Sequence, residues 1–550
     1  MGADQERSAY AGRWVARLHG RIIAQGGTPE LARRAALSAR HKESPEILYM
    51  PFDFSFPPLV NLVRAALPDS ELYLVGGAVR DILLGRPSPD LDFAVPAGAI
   101  PLARKVANAL DADYVTLDEE HDTGRVIHTA ENGRRTHLDF ASFRGQTLED
   151  DLRHRDFTIN ALACDLRADA ILDPLEGAAD LRAKRIRACL PTALSDDPVR
   201  VLRGVRQAAA FGFQIEKDTR EWMRQAAPQL GRVSPERQRD ELFKMLDGPK
   251  PDAALRALEM LGVFPYFLPE LTTLKGVTQS PPHVHDVWTH TLAVLQHLES
   301  ILAALDVNYN ADSTNDLYTG LLTLRIGRYR EQIAQHFASP LTVERSVRAL
   351  LFFTALYHDV CKPQTRSVEE GGRIRFFDHD VQGAELAAGR AQALRLSADE
   401  IHRLRIVILN HMRFHFHTSR MDGEGQSPSR RAVYRFFREG GPSGVELVLL
   451  GLADLRATQG PNLTQKTWSA ALDVARVLFE NYFEKPQETI APPRLLDGHD
   501  LMRTLDLQPG PAVGEALEAI REAQATGKVS TREEALEFGK RWLEEQRNSP

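Results

Sequence analysis

The chain has 550 residues, of which 43% are hydrophobic and 26% are charged, and its formal net charge is −7. This length predicts about three or four domains. No apolar run approaches the roughly 20 residues that a membrane-spanning helix requires, so no membrane contact is expected. The three cysteines lie far apart in the sequence, which excludes a CxxC zinc ribbon and favours a cytoplasmic location.

Helical and strand-like segments follow one another in an order that predicts an α+β protein of five parts. Pro-rich stretches near residues 279 and 486 indicate the last two boundaries. The predicted parts are a helical extension at 1–55, an α/β head at 56–165, an all-α neck at 166–278, a helical body at 279–485 and a helical tail at 486–550.

The most informative segment of the head covers residues 72–95, LYLVGGAVRDILLGRPSPDLDFAV. An apolar strand ends at Gly76-Gly77, where backbone amides at a helix start can approach a phosphate. The next strand carries Asp90 and Asp92, which share a face because side chains alternate along a strand. A DxD in a loop is more often a turn or a helix cap, but this context favours a site for two Mg²⁺ ions.

A third acidic candidate, Asp139, lies on another predicted strand, THLDFASF. Two metal ions held by such carboxylates would lower the pKa of an attacking hydroxyl, align it with an α-phosphate and stabilise a leaving pyrophosphate. The head therefore carries the parts of a nucleotidyl transfer site, with Asp90, Asp92 and Asp139 as its catalytic residues.

The segment LEDDLRHRDFTINALA follows the third acidic residue. Arg155 could clamp a triphosphate with its planar set of donors, and Asn160 could hydrogen-bond a sugar hydroxyl. The alternative for Arg155 is a surface ion pair with Asp156, which would contribute little.

Four charged residues recur every third position in SDDPVRVLRGVRQAAAFGF, and we predict that they share one helix face. A carboxylate beside a guanidinium can read the edge of a base, and two further arginines can contact phosphates. Taken alone, this helix would be read as a solvated charged stripe. The four residues are Asp197, Arg200, Arg203 and Arg206.

These motifs, in this order, resemble the class II tRNA nucleotidyltransferase and bacterial poly(A) polymerase family. The resemblance implies a polymerase-β-like head followed by a helical neck, body and tail. It also implies that the Mg²⁺-binding pair is Asp90 and Asp92, and that tRNA and CTP or ATP are the substrates. The nucleotide-binding residues it implies are Gly76, Gly77, Arg80, Arg155, Asn160, Asp197, Arg200, Arg203 and Arg206.

One segment departs from the family pattern. Members that add all of CCA carry a flexible arm between the strand ending in FR and the LEDDL segment. Here Phe143-Arg144 is followed by only Gly145-Gln146 before Thr147. The short connection resembles the CC-adding subgroup, which leaves the terminal A to a separate A-adding enzyme. Full CCA addition and poly(A) synthesis are the alternatives.

A second set of residues is dispersed through the predicted body. Imidazoles and carboxylates that converge from several helices suit a divalent metal with open positions for water. Their order resembles the HD-domain phosphohydrolases, which implies a site for Mg, Mn, Ni or Fe and an activity on RNA ends. A vestigial helical body is the alternative. The implied metal ligands are His290, His358, Asp359 and Asp454, and His379 and His411 match positions of additional ligands or phosphate contacts.

Other polar residues receive weaker assignments. Lys362 is expected to contact phosphate or to cap a helix. Surface positions or non-ligand roles are predicted for His283, His285, His415 and His417. Two basic clusters are candidates for RNA backbone contact: Arg182, Lys184, Arg185 and Arg187, and Arg430, Arg431, Arg435 and Arg438.

Two rival functions remain at this point. The first is an HD phosphohydrolase in which the head serves only as an RNA-binding module. The second is an RNA-binding protein in which both sites are inactive. The acidic pair at 90 and 92 argues against the second.

Overall fold

The structure is a computed structural model that describes residues 10–38, 43–51, 56–88, 90–131, 133, 135–310, 316–342 and 345–547. The chain forms two compact units, Met1–Val233 and Ser234–Pro550. The division falls inside the predicted neck. None of the helices in the described ranges combines the length and the hydropathy that a membrane-spanning helix needs.

The N-terminal extension is mainly β-structure, so the prediction of a helical extension at 1–55 is wrong for its described residues. Its three strands pair antiparallel in the order β2-β1-β3. His19 and Gly20 both have positive φ, 49° and 76°, which suits a tight hairpin turn between twisted strands. The elements are β1 (Arg13–Leu18), β2 (Arg21–Gly26), α1 (Pro29–Ser38) and β3 (Glu46–Met50).

The head is a seven-stranded sheet in the order β10-β9-β4-β5-β8-β7-β6. Its elements, in chain order, are α2 (Pro58–Ala66), β4 (Tyr73–Val75), α3 (Gly77–Leu83), β5 (Asp90–Val95), α4 (Ala99–Leu110), β6 (Asp113–Asp118), β7 (Thr123–Thr129), β8 (Arg135–Ser142), α5 (Leu148–Arg153), β9 (Ala163–Asp165) and β10 (Ala170–Leu172).

The two central strands of this sheet, β5 and β8, run parallel, with Asp92 opposite Asp139. Phe93 and Phe140, one residue further along each strand, are buried and stack with their ring centroids 4.8 Å apart. Because side chains alternate, burial of these rings directs the neighbouring carboxylates to the opposite face of the sheet. The apolar face thus fixes the position of the acidic residues.

The rest of the first unit is mostly helical. It contains α6 (Gly177–Arg182), β11 (Arg185–Ile186), α7 (Ala193–Asp196), α8 (Arg200–Phe211), β12 (Gln214–Ile215) and α9 (Lys217–Ala226).

Among its described residues, the second unit is helical apart from two short two-stranded ribbons, β13–β14 and β15–β16. Its first half contains α10 (Pro235–Leu246), α11 (Pro251–Met260), α12 (Phe264–Phe267), α13 (Val287–Ala304), α14 (Leu317–Ile326), α15 (Arg330–Ala338), β13 (Pro340–Thr342), β14 (Arg345–Ser346), α16 (Val347–Tyr357), β15 (Arg366–Val368) and β16 (Ile374–Phe376).

Its second half contains α17 (His379–Ala393), α18 (Ala398–Asn410), α19 (Met412–Glu424), α20 (Arg430–Gly440), α21 (Gly444–Gln459), α22 (Gln465–Phe479), α23 (Pro486–Thr489), α24 (Gly498–Leu505), α25 (Pro511–Ala525) and α26 (Arg532–Arg547). Helices α16 and α21 are buried along nearly their whole length. The last three helices share an apolar core of their own that includes Leu501 and Ile520.

Candidate functional sites

The turn between β4 and α3 places the backbone of Gly76 against the side chains of Arg155 and Asp92. Gly76 has a φ of +74°, a conformation that L side chains rarely adopt. A Cβ at this position would lie 2.9 Å from a terminal nitrogen of Arg155 and 3.1 Å from Oδ2 of Asp92. The glycine therefore permits the close approach of these two groups to the start of α3.

The predicted acidic residues meet at the centre of the sheet. Burial raises the pKa of Asp92 to about 6, against the opposing effect of Arg155 and with support from the nearby charges of Asp139 and Asp90. A hard divalent cation prefers oxygen ligands, and it relieves the repulsion between carboxylates that lie close together. The residues present therefore fit Mg²⁺.

Asp139 has a partner that the sequence did not reveal. Arg125 on β7 lies opposite it across the strands and donates to both of its oxygens, from Nε at 2.7 Å and from a terminal nitrogen at 2.8 Å. This fork-to-carboxylate pair neutralises the third carboxylate. No single-residue pattern could have indicated the pair, because it depends on strand register.

A buried network surrounds Asn160. Its Oδ1 accepts a 2.6 Å hydrogen bond from Arg80, and its Nδ2 donates to Asp156 at 3.0 Å and to Gln207 at 3.1 Å. The guanidinium of Arg80 also lies 4.6 Å from the centroid of Phe211. The network holds Arg80 in place, while contact of Asn160 with a sugar stays a prediction.

The charged series beginning at Asp197 is only partly helical, so the prediction that all four residues share one helix face is wrong. Asp197 has an extended backbone before α8, which begins at Arg200. Nε of Arg200 nevertheless lies 3.7 Å from Oδ2 of Asp197. Arg203 contacts Asp156 at 3.4 Å, and Arg206 lies three residues further along α8, half-buried.

Arg200 is buried and most of its donors bind backbone carbonyls. Its terminal nitrogens donate to His154, Arg155 and Ala193 at 3.1–3.3 Å. Its Nε is buried and has no hydrogen-bond partner among the described residues. An oriented but unsatisfied donor is an arrangement that a ligand can complete.

The second predicted set converges within the helical unit. His290 lies in α13 and Asp454 in α21, the pair at 358 and 359 follows α16, His379 begins α17, and His411 lies between α18 and α19. All six side chains are largely buried. The carboxylate of Asp359 stands between two groups of ligands.

Each oxygen of Asp359 faces a different pair of imidazoles. Its Oδ2 lies 3.2 Å from Nε2 of His358 and 3.5 Å from Nε2 of His290, and its Oδ1 lies 3.6 and 3.8 Å from Nε2 of His379 and His411. Oδ1 of Asp454 lies 3.0 Å from His290. The ligands thus form two adjacent sets, His290–His358–Asp454 and Asp359–His379–His411.

The backbone contacts of three of these histidines favour the tautomer that suits metal binding. Nδ1 of His358, His379 and His411 faces the backbone oxygen three residues earlier, at 2.7, 2.8 and 2.6 Å. A proton on Nδ1 satisfies each contact and leaves Nε2 as a lone-pair donor. Burial and the neighbouring imidazoles lower the pKa of His411 to about 3, which keeps it neutral.

Two of these buried atoms lack the partners that burial normally requires. Nε2 of His358 and Oδ1 of Asp359 make no hydrogen bond within the part of the chain that the structure describes, whereas Oδ2 of Asp359 pairs with Lys362 and Nε2 of His290 pairs with Asp454. A divalent cation on each side of Asp359 would satisfy them. The donor set, imidazole nitrogens and carboxylate oxygens, fits a transition metal.

Three further residues contact this cluster. Nε2 of His415 lies 2.7 Å from Oδ2 of Asp454, and the ring of His283 lies 5.5 Å from that of His290. The expectation of a surface position for His283 is therefore wrong. Lys362 contacts Asp359 at 2.6 Å and donates to Gln279 at 2.7 Å, so it caps no helix. In the sequence, the four-residue spacing between His411 and His415 was the pattern that could have indicated a place for His415 beside this cluster.

The two predicted basic clusters are largely paired within the protein. Arg185 and Arg187 bind the buried carboxylate of Asp180. Arg431 and Arg435 bind Glu522, Arg438 binds Glu518, and Arg430 binds Glu488.

Four family models match the chain. They are the Poly A polymerase head domain at 72–187, the "Probable RNA and SrmB-binding site of polymerase A" at 212–275, the HD domain at 287–455 and tRNA nucleotidyltransferase domain 2 at 493–538.

Curated relatives match most of the chain. The A-adding tRNA nucleotidyltransferase of Deinococcus radiodurans is 35% identical over 86% of this chain and 95% of its own length. The CC-adding tRNA nucleotidyltransferase of Thermus thermophilus is 33% identical over 86% and 94%.

Solved structures share the fold. The Thermotoga maritima CCA-adding enzyme complexed with tRNA has a TM-score of 0.51 and 22% identity over 89% of this chain and 97% of that one. A CCA-adding enzyme with CTP has a TM-score of 0.56 and 20% identity over 89% and 96%. The chain therefore belongs to the tRNA nucleotidyltransferase and poly(A) polymerase family, and is a nucleotidyltransferase whose head is joined to an HD domain.

Proposed function

We propose that the protein is a CC-adding enzyme, which adds C residues from CTP to the 3′ end of tRNA in the cytoplasm and releases pyrophosphate. The observation that carries this proposal is the connection between two elements of the head. Strand β8 ends at Ser142 and α5 begins at Leu148, so only residues 143–147 join them. There is no room here for the flexible arm that accompanies a switch from C to A addition.

Overall identity does not separate the two specificities. The A-adding relative is 35% identical and the CC-adding relatives of Thermus thermophilus and Geobacter sulfurreducens are 33% and 31% identical. The length of the β8–α5 connection is therefore the deciding feature. In this proposal a separate enzyme adds the terminal A. Full CCA addition with CTP and ATP is the alternative.

The chemistry follows from the head residues. The 3′ hydroxyl of the RNA attacks the α-phosphate of CTP, a new P–O bond forms, and the bond to the β-phosphate breaks to release pyrophosphate. Asp90 and Asp92 would hold Mg²⁺, which would supply Lewis-acid activation for the hydroxyl and positive charge for the leaving group. The Gly76–Gly77 backbone holds the triphosphate, with Arg80 and Arg155 as its cationic partners.

Base selection falls to Asp197 and Arg200 in this proposal. Cytosine offers acceptors at O2 and N3 and a donor at its amino group, which match a guanidinium and a carboxylate respectively. The unsatisfied Nε of Arg200, 3.7 Å from Asp197, supports this role. Arg203 and Arg206 would extend the pocket towards the phosphates.

The double variant Asp90→Ala with Asp92→Ala tests the assignment of the transfer site. We expect it to lose CTP incorporation into tRNA lacking CCA while its far-UV circular dichroism stays unchanged. Retention of more than a tenth of wild-type incorporation would contradict the assignment.

A second activity is proposed for the helical unit, hydrolysis of phosphate esters at RNA ends. The observation that favours it is the pair of adjacent ligand sets, His290–His358–Asp454 and Asp359–His379–His411. Two cations there would polarise a phosphate and activate a water between them. The metal is expected to be Mg, Mn, Ni or Fe.

His358→Ala and Asp359→Asn test this second activity, with the exposed His402 replaced by Ala as a matched control. We expect both site variants to lose bound metal, measured by plasma mass spectrometry, and to lose hydrolysis of a 2′,3′-cyclic phosphate end. Equal metal content in all three variants and the wild type would contradict it.

A further inference from the structure

The face of α20 that points away from the core is a row of arginines. Arg431, Arg435 and Arg438 recur at helical spacing, and their side chains are 59%, 51% and 56% exposed. The opposite face is apolar, with Phe436 and Phe437 buried in the body. The row is thus held rigidly on a well-packed helix.

Carboxylates of the tail engage this row incompletely. Nε of Arg438 donates to Glu518 at 2.8 Å, Arg435 donates to Glu522 at 2.9 and 3.2 Å through two nitrogens, and Nε of Arg431 donates to the same carboxylate. Only Nε of Arg431 donates to Glu522, while Arg438 also interacts with the hydroxyl of Tyr434. Each guanidinium therefore keeps donors that an anion can take.

These donors line a cavity of about 600 Å³ between α20 and the tail helices α25 and α26. The volume lies in the range of small-molecule sites. Four cationic side chains, the three arginines and Lys528, exceed the three carboxylates of the lining. The lining also includes Phe538 and Trp542, two half-buried aromatic rings.

Arginines beside aromatic rings are the chemistry that recognises a nucleotide. Guanidinium groups bind phosphate with two donors, and a base stacks on an aromatic side chain whatever its identity. Glu515, which also lines the cavity, makes no side-chain hydrogen bond within the described ranges and is placed to accept from a ribose hydroxyl or a base amino group.

We propose that this cavity is a nucleotide-binding site separate from the head, which binds phosphate on Arg431 and Arg438 and stacks a base on Trp542. The nucleotide comes either from the free pool or from an RNA strand. The two sources share the chemistry, and the experiment distinguishes them. The inference does not depend on the proposed CC-adding specificity, because it uses no residue of the head.

The test compares full-length wild type with the double variant Arg431→Ala, Arg438→Ala. Both side chains are more than half exposed, so the fold is expected to tolerate their loss. Trp542→Phe keeps the tail core packed and weakens only the stacking. Arg420→Ala is the matched control, since it lies on α19 in an exposed pair with Glu424 and outside the cavity.

Two probes are used. Equilibrium dialysis with radiolabelled CTP counts nucleotides bound per chain, and fluorescence anisotropy measures the Kd of a 5′-phosphorylated hexaribonucleotide at several salt concentrations. A free-nucleotide source predicts that the double variant loses one CTP equivalent. An RNA source predicts at least a tenfold weaker hexanucleotide complex and a salt slope smaller by about 1.4, for two lost phosphate contacts.

Loss of one bound CTP or weaker hexanucleotide binding in the double variant supports the site and tells which source supplies the nucleotide. The same loss should be smaller in Trp542→Phe and absent in Arg420→Ala. Unchanged CTP stoichiometry together with an unchanged hexanucleotide Kd in the double variant would overturn it. A loss of equal size in Arg420→Ala would also overturn it, because it would reflect general charge and not the cavity.

Discussion

The environment of Asp92 favours a bound cation over a free carboxylate. Burial raises its pKa to about 6 from an ordinary 3.8. Because the folded-state pKa lies above the unfolded one, ionisation of Asp92 in the absence of metal lowers stability, increasingly from pH 4 to 6 and fully above pH 6. Burial of this carboxylate therefore lowers the stability of the metal-free protein and raises its affinity for a cation.

Asp92→Asn should separate these two effects. In the absence of metal at pH 7.5, we expect the variant to be more stable than the wild type by on the order of 1–3 kcal/mol, measured by denaturant unfolding, and the gain to vanish near pH 4. Incorporation of CTP should fall by roughly three orders of magnitude, because a metal contact supplies several kcal/mol of transition-state stabilisation. A variant less stable than the wild type at pH 7.5 would contradict the burial argument.

Asp139 should matter less than Asp92. Arg125 already neutralises it through two hydrogen bonds of 2.7 and 2.8 Å. We expect Asp139→Asn to lower kcat for CTP by roughly one to two orders of magnitude, as for loss of a supporting contact to a metal site. A Mg²⁺ titration of both variants measures the difference. Equal losses would mean that Asp139 leaves Arg125 and binds the metal directly.

At the residue scale, the sequence motifs predicted which side chains would meet, but not all of their partners. His290, His358 and Asp454 converge as the resemblance implied. The pairing of Arg125 with Asp139 depends on strand register, and the position of His283 beside His290 depends on how a Pro-rich segment folds back. Neither follows from local spacing.

The strand–turn–helix element around Gly76 constrains the head more than any other turn. Gly76→Ala should lose stability by about 1–3 kcal/mol through its backbone conformation, and should lose CTP incorporation because the new methyl group would displace Arg155 and Asp92. Gly85→Ala is the matched control, because Gly85 also has a positive φ of +66° but a methyl group added there would meet only open space among the described residues.

Melting curves and single-turnover incorporation measure both glycine variants. We expect Gly85→Ala to lose stability and keep its activity. If Gly76→Ala retained full incorporation, the turn would not position the transfer site.

Element prediction succeeds where a strong pattern extends over many residues and fails where one turn decides the outcome. The body at 279–485 is predicted to be helical, and its helices α16 and α21 are indeed formed and buried. The extension at 1–55 is predicted to be helical, whereas His19-Gly20 forms a hairpin turn between strands β1 and β2. The three-residue spacing places Asp197 on a helix that in fact begins three residues later.

For the whole molecule, the two sites lie on separate compact units, Met1–Val233 and Ser234–Pro550. We therefore expect their chemistries to be separable. Asp359→Asn should leave single-turnover CTP incorporation within about twofold of wild type, and Asp92→Asn should leave metal content of the helical unit unchanged. Loss of transfer in Asp359→Asn with a native melting curve would show instead that the two activities depend on each other.

The most direct test of the central claim uses three tRNA transcripts, ending before CCA, after the first C and after CC. Each is incubated with CTP, with ATP and with both, and the products are resolved at single-nucleotide resolution. The short β8–α5 connection predicts that addition stops at CC and that ATP is not used on any transcript. Completion to CCA, or addition of A to the transcript ending in CC, would contradict the proposed specificity.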